Sequence, residues 1–96
     1  RQKFMSYYVY VISSTRQFKS TTYVGYAKNL KKRLSLHNSG KGAKFTRGRK
    51  WKIIYSEKCT TKSKALSREY YIKKNRKLRN LIKTNYEEKN SYPITI

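Results

Sequence analysis

Arg33, His37 and Glu69 are residues that helix packing alone would not choose. Arg33 and His37 are four apart, so on a helix they share a face, along the edge of the apolar stripe of Leu30 and Leu34. By helical angle, Glu69 falls inside the arc of Ala65, Leu66, Tyr70 and Ile72 that marks a buried side. A carboxylate aimed at a core costs free energy unless it is paired or binds a cation, and on its own an ion pair with an arginine or lysine accounts for it. Tyr10 and Tyr23 lie in two aromatic and β-branched runs, where sheet packing by itself accounts for them. As a set, the five residues offer more. A guanidinium can fork onto a phosphate, a carboxylate can hold a divalent cation, and imidazole and phenol groups can hold or pass a proton. Cutting a phosphodiester calls for such groups, because it needs a nucleophilic water, a stabiliser for developing charge and help for the leaving oxygen.

The elements that must position these groups are legible locally. Tyr7 to Ile12 is an aromatic and β-branched run bounded by Ser13-Ser14, which predicts a strand. The polar stretch Ser13 to Thr21 reads as a loop, and Thr22 to Tyr26 as a second strand whose inner Gly25 marks a kink or a close backbone approach. Asn29 is placed to cap a helix from Leu30 to His37, with Asn38-Ser39-Gly40 as its stop. Gly40 to Lys50 has three glycines, five cations and no periodicity, and reads as a basic loop. Trp51 to Cys59 predicts a third strand. Thr61 caps a helix to about Lys74, and Asn75 caps another through Ile82. Three strands need a helix layer for stability, and these helices can supply it. The expectation is an α/β (α+β) domain: a small three-stranded, mostly antiparallel sheet flanked by helices, in the order β-β-α-β-α-α. Residues 7–85 form the domain, residues 86–96 a tail, and residues 1–6 an N-terminal extension with Met5 as a candidate natural start.

Composition limits the partners. The chain has 96 residues, which suits one core. Lysine and arginine number 25 against four acids, Glu57, Glu69, Glu87 and Glu88, for a net charge of +21. Such a charge repels itself in the folded state, and a polyanionic partner is its natural counterpart. No apolar stretch is long enough to span a bilayer, so a membrane is not the expected partner. Arg1-Gln2-Lys3-Phe4 lacks the apolar stretch of a signal peptide, and Cys59 stands alone, so no intramolecular disulfide is possible; both suit an intracellular, cytoplasmic protein. Most of the ten tyrosines are expected in the core or on the sheet, Trp51 in the core, and Cys59 as a small buried apolar residue.

Tyr8-Val9-Tyr10, then Tyr23-Val24-Gly25, then Arg33, His37 and Glu69 form an ordered set that resembles the GIY-YIG nuclease superfamily. Tyr8-Val9-Tyr10 stands at that family's first motif and Tyr23-Val24-Gly25 at its second. Arg33 follows at the family's spacing, His37 lies one helical turn on, and Glu69 matches the metal-binding glutamate. The stretch Ser39 to Arg47 is similar to the small stand-alone YhbQ-like (UPF0213) branch. The likeness spans Tyr7 to Ile82. Tyr8 stands where the superfamily often has glycine, and Tyr26 where some members carry lysine. The resemblance implies a divalent-metal-dependent DNA endonuclease with Tyr10, Tyr23, Arg33, His37 and Glu69 as catalytic residues. Glu69 is then the ligand of Mg²⁺ or Mn²⁺, an ion that keeps several waters and completes its shell with substrate phosphate. Arg33 would clamp the scissile phosphate, Tyr23 would accept a proton from water, Tyr10 would orient the site, and His37 would relay a proton or bind phosphate.

Gly40 to Lys50 is expected to track phosphates, its glycines admitting backbone N–H groups and its cations releasing counterions. The expected nucleic-acid contacts are Lys28, Lys41, Lys44, Arg47, Arg49, Lys73, Lys74, Arg76 and Lys77, with Arg79 extending the footprint. Nothing resembles a helix or finger that reads base edges, so little sequence specificity and a preference for single-stranded or branched DNA are expected, with RNA as an alternative substrate and a monomer as the assembly. The rival reading is a non-catalytic DNA- or RNA-binding module on the same fold. A ribosome-associated protein, the third, rests on charge alone and leaves the lone inward carboxylate unexplained.

Overall fold

The computed structural model describes residues 6–90; the N-terminal extension up to Met5 and the tail residues 91–96 lie outside the described residues. Six elements follow in the expected order: β1 (Tyr7–Arg16), β2 (Lys19–Ala27), α1 (Leu30–Asn38), β3 (Lys52–Cys59), α2 (Lys62–Lys74) and α3 (Arg76–Asn90). The sheet is antiparallel throughout, in the order β2-β1-β3, so β2 is an edge strand.

Each expected cap is in place. The side-chain oxygens of Asn29, Thr61 and Asn75 accept from the backbone N–H groups of Lys32, Lys64 and Leu78, which satisfies donors that the first helical turns leave unpaired. Gly40, at φ +84°, ends α1 as anticipated. Its N–H reaches the carbonyl of His37 and that of Lys41 reaches Leu36, the paired bonds of a Schellman stop.

The loop expected over Ser13 to Thr21 is instead a β-hairpin. Both strands continue through these polar residues to a two-residue turn at Gln17 and Phe18, with Arg16 paired to Lys19. Gln17 and Phe18 have φ of 50° and 68°, the left-handed pair that a tight hairpin needs and that Asn-Gly normally supplies. A Gln-Phe pair carries no such signal, and Ser and Thr satisfy the ladder as well as apolar residues do; Thr15 Oγ1 lies 3.2 Å from Ser20 Oγ across the strands. The last helix also exceeds expectation. It runs to Asn90 rather than stopping near Ile82, so Glu87 to Asn90, read as tail, are helical.

β1 is buried from Val9 to Ser14 because both faces of the sheet are covered. On one face, Val9, Val11 and Val24 pack with Ala65 and Ile72 of α2 and Ile82 of α3. On the other, Tyr10, Ile12, Ala27 and Trp51 pack with Leu30 and Leu34 of α1. Trp51 and Cys59 are core residues, as expected. Leu66 and Tyr70 are not: both are exposed, and the buried arc of α2 narrows to Ala65 and Ile72. Across that face, Arg68 of α2 forks onto Glu57 of β3 at 2.6 and 3.0 Å, with the Tyr55 hydroxyl donating to the same carboxylate at 2.5 Å. Arg68 holds the Glu57 carboxyl below the usual carboxylate range. Among the described residues, no helix is long and apolar enough to cross a membrane.

Candidate active site

Tyr10 sits mid-strand in β1, opposite Gly25 of β2. A Cβ on Gly25 would lie 2.5 Å from the Tyr10 hydroxyl oxygen, so the ring crosses the strand where a side chain is missing. The close approach anticipated at Gly25 is made by the other motif's tyrosine. Register puts Tyr23 two residues away on the same face. α1 covers this face, and its last turn delivers His37, which is 2% exposed.

The Tyr10 hydroxyl lies 2.8 Å from His37 Nε2. Tyr23 meets the same imidazole edge-on, with ring centroids 5.2 Å apart. Burial pushes the Tyr10 phenol well above its ordinary pKa; Arg33 opposes that shift, and Tyr23 and Glu69 reinforce it. Burial, with help from Arg33, pushes the His37 pKa down and keeps the ring neutral. Both ring nitrogens are engaged, Nδ1 with Thr46 Oγ1 at 2.8 Å. Neither ring nitrogen is free of a hydrogen-bond partner within the fold.

Glu69 is nearly buried, with a side-chain exposure of 17%, and pairs with Lys73 one turn on at 3.3 Å. The plain Glu–Lys pair is therefore present. Its lysine is half-exposed and can swing away at small cost. Among the described residues, no three His, Cys, Asp or Glu side chains cluster as a metal cage. A lone carboxylate such as Glu69 suits a divalent ion that keeps most of its own water.

Two clefts flank this cluster along β2. One, of about 440 Å³, is lined by Tyr26, Lys28, Lys32, Arg33 and Lys62; the other, of about 310 Å³, by Thr22, Tyr23, Phe45, Lys73 and Arg79. Lys28 and Lys73 were expected to meet nucleic acid; Lys32, Lys62 and Phe45 were not, because no local pattern separates a cleft lysine from the other surface lysines. Phe45 is 58% exposed and stacks on Tyr23 at 6.0 Å. Lys41, Lys44, Arg47, Lys74, Arg76 and Lys77 are exposed, and Lys74 lies over the Tyr70 ring. Arg49 is half-buried, its Nη1 without a hydrogen-bond partner. Arg79 bonds the carbonyls of Ile72 and Lys73 and so caps the end of α2.

In the loop between α1 and β3, two of the glycines expected to admit phosphates serve the fold itself. Gly40 belongs to the α1 stop, and Gly42 lies so close to His37 that any side chain would strike the ring. Asn38 clamps the backbone of Trp51 at both its N–H and its carbonyl, and Trp51 Nε1 donates to the Thr46 carbonyl at 2.9 Å. The loop is pinned, not free. Asn38 was expected only in the α1 stop, and Gly42 and Thr46 only within the basic loop; no local pattern ties them to His37 or Trp51.

The family model of the GIY-YIG catalytic domain matches residues 6–83. The chain belongs to the GIY-YIG family. Its relatives place it in the UPF0213 branch. It is 42% identical over 87 residues to a UPF0213 protein of Clostridium perfringens, covering 86% of this chain and 90% of that one. A Bacillus licheniformis UPF0213 protein is 47% identical over 70 residues, covering 72% and 69%. The solution NMR structure of a Bacillus halodurans UPF0213 protein is similar with a TM-score of 0.51 and 30% identity, over 95% of this chain and all of that one. GIY-YIG domains are in general endonucleases that act on nucleic acid and depend on a divalent metal.

Proposed function

We propose that this GIY-YIG domain is a divalent-metal-dependent DNA endonuclease with little sequence specificity, acting on single-stranded or branched DNA. The observation that carries the reading is the buried Tyr10–His37 pair, flanked by two cation-lined clefts, with a phenol that feels the charges of both Arg33 and Glu69. A binding module gains nothing from a carboxylate at the heart of a surface meant for phosphates.

Glu69 would hold Mg²⁺ or Mn²⁺, and the ion would draw charge from the scissile phosphate. Arg33, at the mouth of one cleft, clamps that phosphate through its planar fork. Tyr23 lines the other cleft and accepts the proton of the attacking water. Tyr10 stays a phenol, because burial disfavours its anion, and orients the site through its hydrogen bond to neutral His37. Lys28, Lys32 and Lys62 on one side and Lys73 on the other hold flanking phosphates. Lys41, Lys44, Arg47, Lys74, Arg76 and Lys77 extend the surface for backbone contact, which reads no bases.

The test is cleavage of labelled single-stranded, duplex, flap and RNA substrates, with and without Mg²⁺ or Mn²⁺, by wild type and Glu69→Ala. The variant should lose cleavage yet keep or tighten DNA binding, because a negative charge leaves the surface. Wild-type-like cleavage by Glu69→Ala under matched metal overturns the assignment.

A further inference from the structure

We infer that Thr46 is a positioning residue whose buried hydroxyl holds His37 in the tautomer protonated at Nδ1, so that Nε2 accepts the Tyr10 proton. The tautomer follows from hydrogen-bond bookkeeping alone; its kinetic consequence rests on the nuclease reading above.

Thr46 is fully buried. Its Oγ1 has three neighbours: the Ala43 carbonyl at 3.0 Å, the Ala43 N–H at 3.2 Å and His37 Nδ1 at 2.8 Å. A hydroxyl has one proton to give and two lone pairs to receive. The Ala43 N–H can only donate and the Ala43 carbonyl can only accept. One lone pair and the proton are thereby used, and the remaining lone pair faces Nδ1, which must bring the proton. The opposite tautomer would turn the hydroxyl toward Nδ1 and leave two oxygens 3.0 Å apart with no proton between them.

The far end of the ring gives the same answer independently. Tyr10 is 3% exposed, and His37 Nε2 is its hydroxyl's hydrogen-bond partner among the described residues. Were Nε2 protonated, the Tyr10 proton would be buried without an acceptor, which is unfavourable. Proton order therefore runs from Tyr10 to His37 Nε2, and from Nδ1 through Thr46 to the Ala43 carbonyl. Gly42 makes the arrangement possible, since its bare Cα lets the loop backbone close over the imidazole. Trp51 Nε1 holds the Thr46 carbonyl from the other side.

The chain contains one histidine, so its ring nitrogens can be observed by ¹⁵N NMR without ambiguity. At about pH 8, above the ordinary imidazole range, wild type should show a protonated Nδ1 and a bare Nε2, the reverse of free histidine. Thr46→Ser should keep both the tautomer and cleavage. Thr46→Val should shift the ring toward the Nε2-protonated form. It should also lose about tenfold or more in kcat, with KM nearly unchanged, as when an outer partner that orients a reacting group is removed. An Nε2-protonated ring in wild type overturns the proposal, and needs no variant to be seen. So does a folded Thr46→Val that keeps wild-type kcat, or a Thr46→Ser that behaves as the valine variant does. Wild type with the Nδ1 tautomer that cuts none of the substrates would refute the nuclease reading and leave the lock standing.

Discussion

Gly25→Ala tests whether the two tyrosine motifs are tied by a single contact. The new methyl carbon would lie 2.5 Å from the Tyr10 hydroxyl oxygen and 2.8 Å from Cζ, with the Cε1 edge at 3.3 Å. Ordinary contact is about 3.5 Å, so the hydroxyl must retreat by about 1 Å. Tyr10 has little room to retreat, because β1 is paired on both sides and the ring is packed against Ile12, Ala27 and Trp51. A displacement of that size takes the 2.8 Å bond to His37 out of useful range. Overpacking costs about 1–3 kcal/mol and stranding a buried hydrogen-bond pair about 1–3 more, so a loss of about 2–6 kcal/mol is expected. For a domain of this size, that lowers the Tm by about 8 °C or more. Urea unfolding of Gly25→Ala, Tyr10→Phe and the double variant separates the two contributions. Tyr10→Phe already lacks the hydroxyl, so the pair should be less damaging together than the sum of the singles, by about 1–3 kcal/mol. Additivity within about 0.5 kcal/mol, or a Gly25→Ala protein with wild-type stability and cleavage, would refute this account of the glycine.

Further outcomes follow from the site and its surface. Arg33→Ala should lower turnover by about a hundred- to a thousand-fold, well beyond any loss of affinity, whereas Tyr23→Phe should remain folded by circular dichroism and be nearly inactive; an unfolded Tyr23→Phe would favour a packing role for that ring. DNA affinity should fall steeply with salt, each neutralised phosphate adding about 0.7–0.9 to the log–log slope, and unrelated sequences of the same strand structure should be cut alike. One duplex site cut far faster than shuffled controls would reveal a base reader. Stability should decline in two stages on acidification. The His37 pKa is lowered on folding, so the unfolded chain takes up that proton first and stability falls from about pH 6.5 downward. The Glu57 pKa is also lowered, and its contribution is lost below about pH 4.5. Urea melts across pH should show the lower stage weakened in Arg68→Ala; an unchanged acid limb in that variant would remove Glu57 as its cause.

Much of the framework was legible because its signals act over a few residues. Asn29, Thr61 and Asn75 cap helices through bonds to N–H groups three positions on, and Gly40 stops α1 through bonds closed within six residues, so chain order alone determined them. The ordered Tyr10, Tyr23, Arg33, His37 and Glu69 carried the resemblance to the family to which the chain belongs. The hairpin tip was hidden, because register across β1 and β2 imposes positive φ on Gln17 and Phe18 although neither residue asks for it. On α2, Leu66 and Tyr70 obey the helical period yet stay exposed, since the sheet covers only the narrower strip of Ala65 and Ile72. The lock around His37 depended wholly on tertiary structure. Residues 10, 25, 37, 42 and 46 meet because two strands pair, a helix crosses one face and a loop folds back under Trp51. Contacts between such distant positions leave no local pattern, for each residue has an ordinary alternative use, and only the packed fold removes those alternatives.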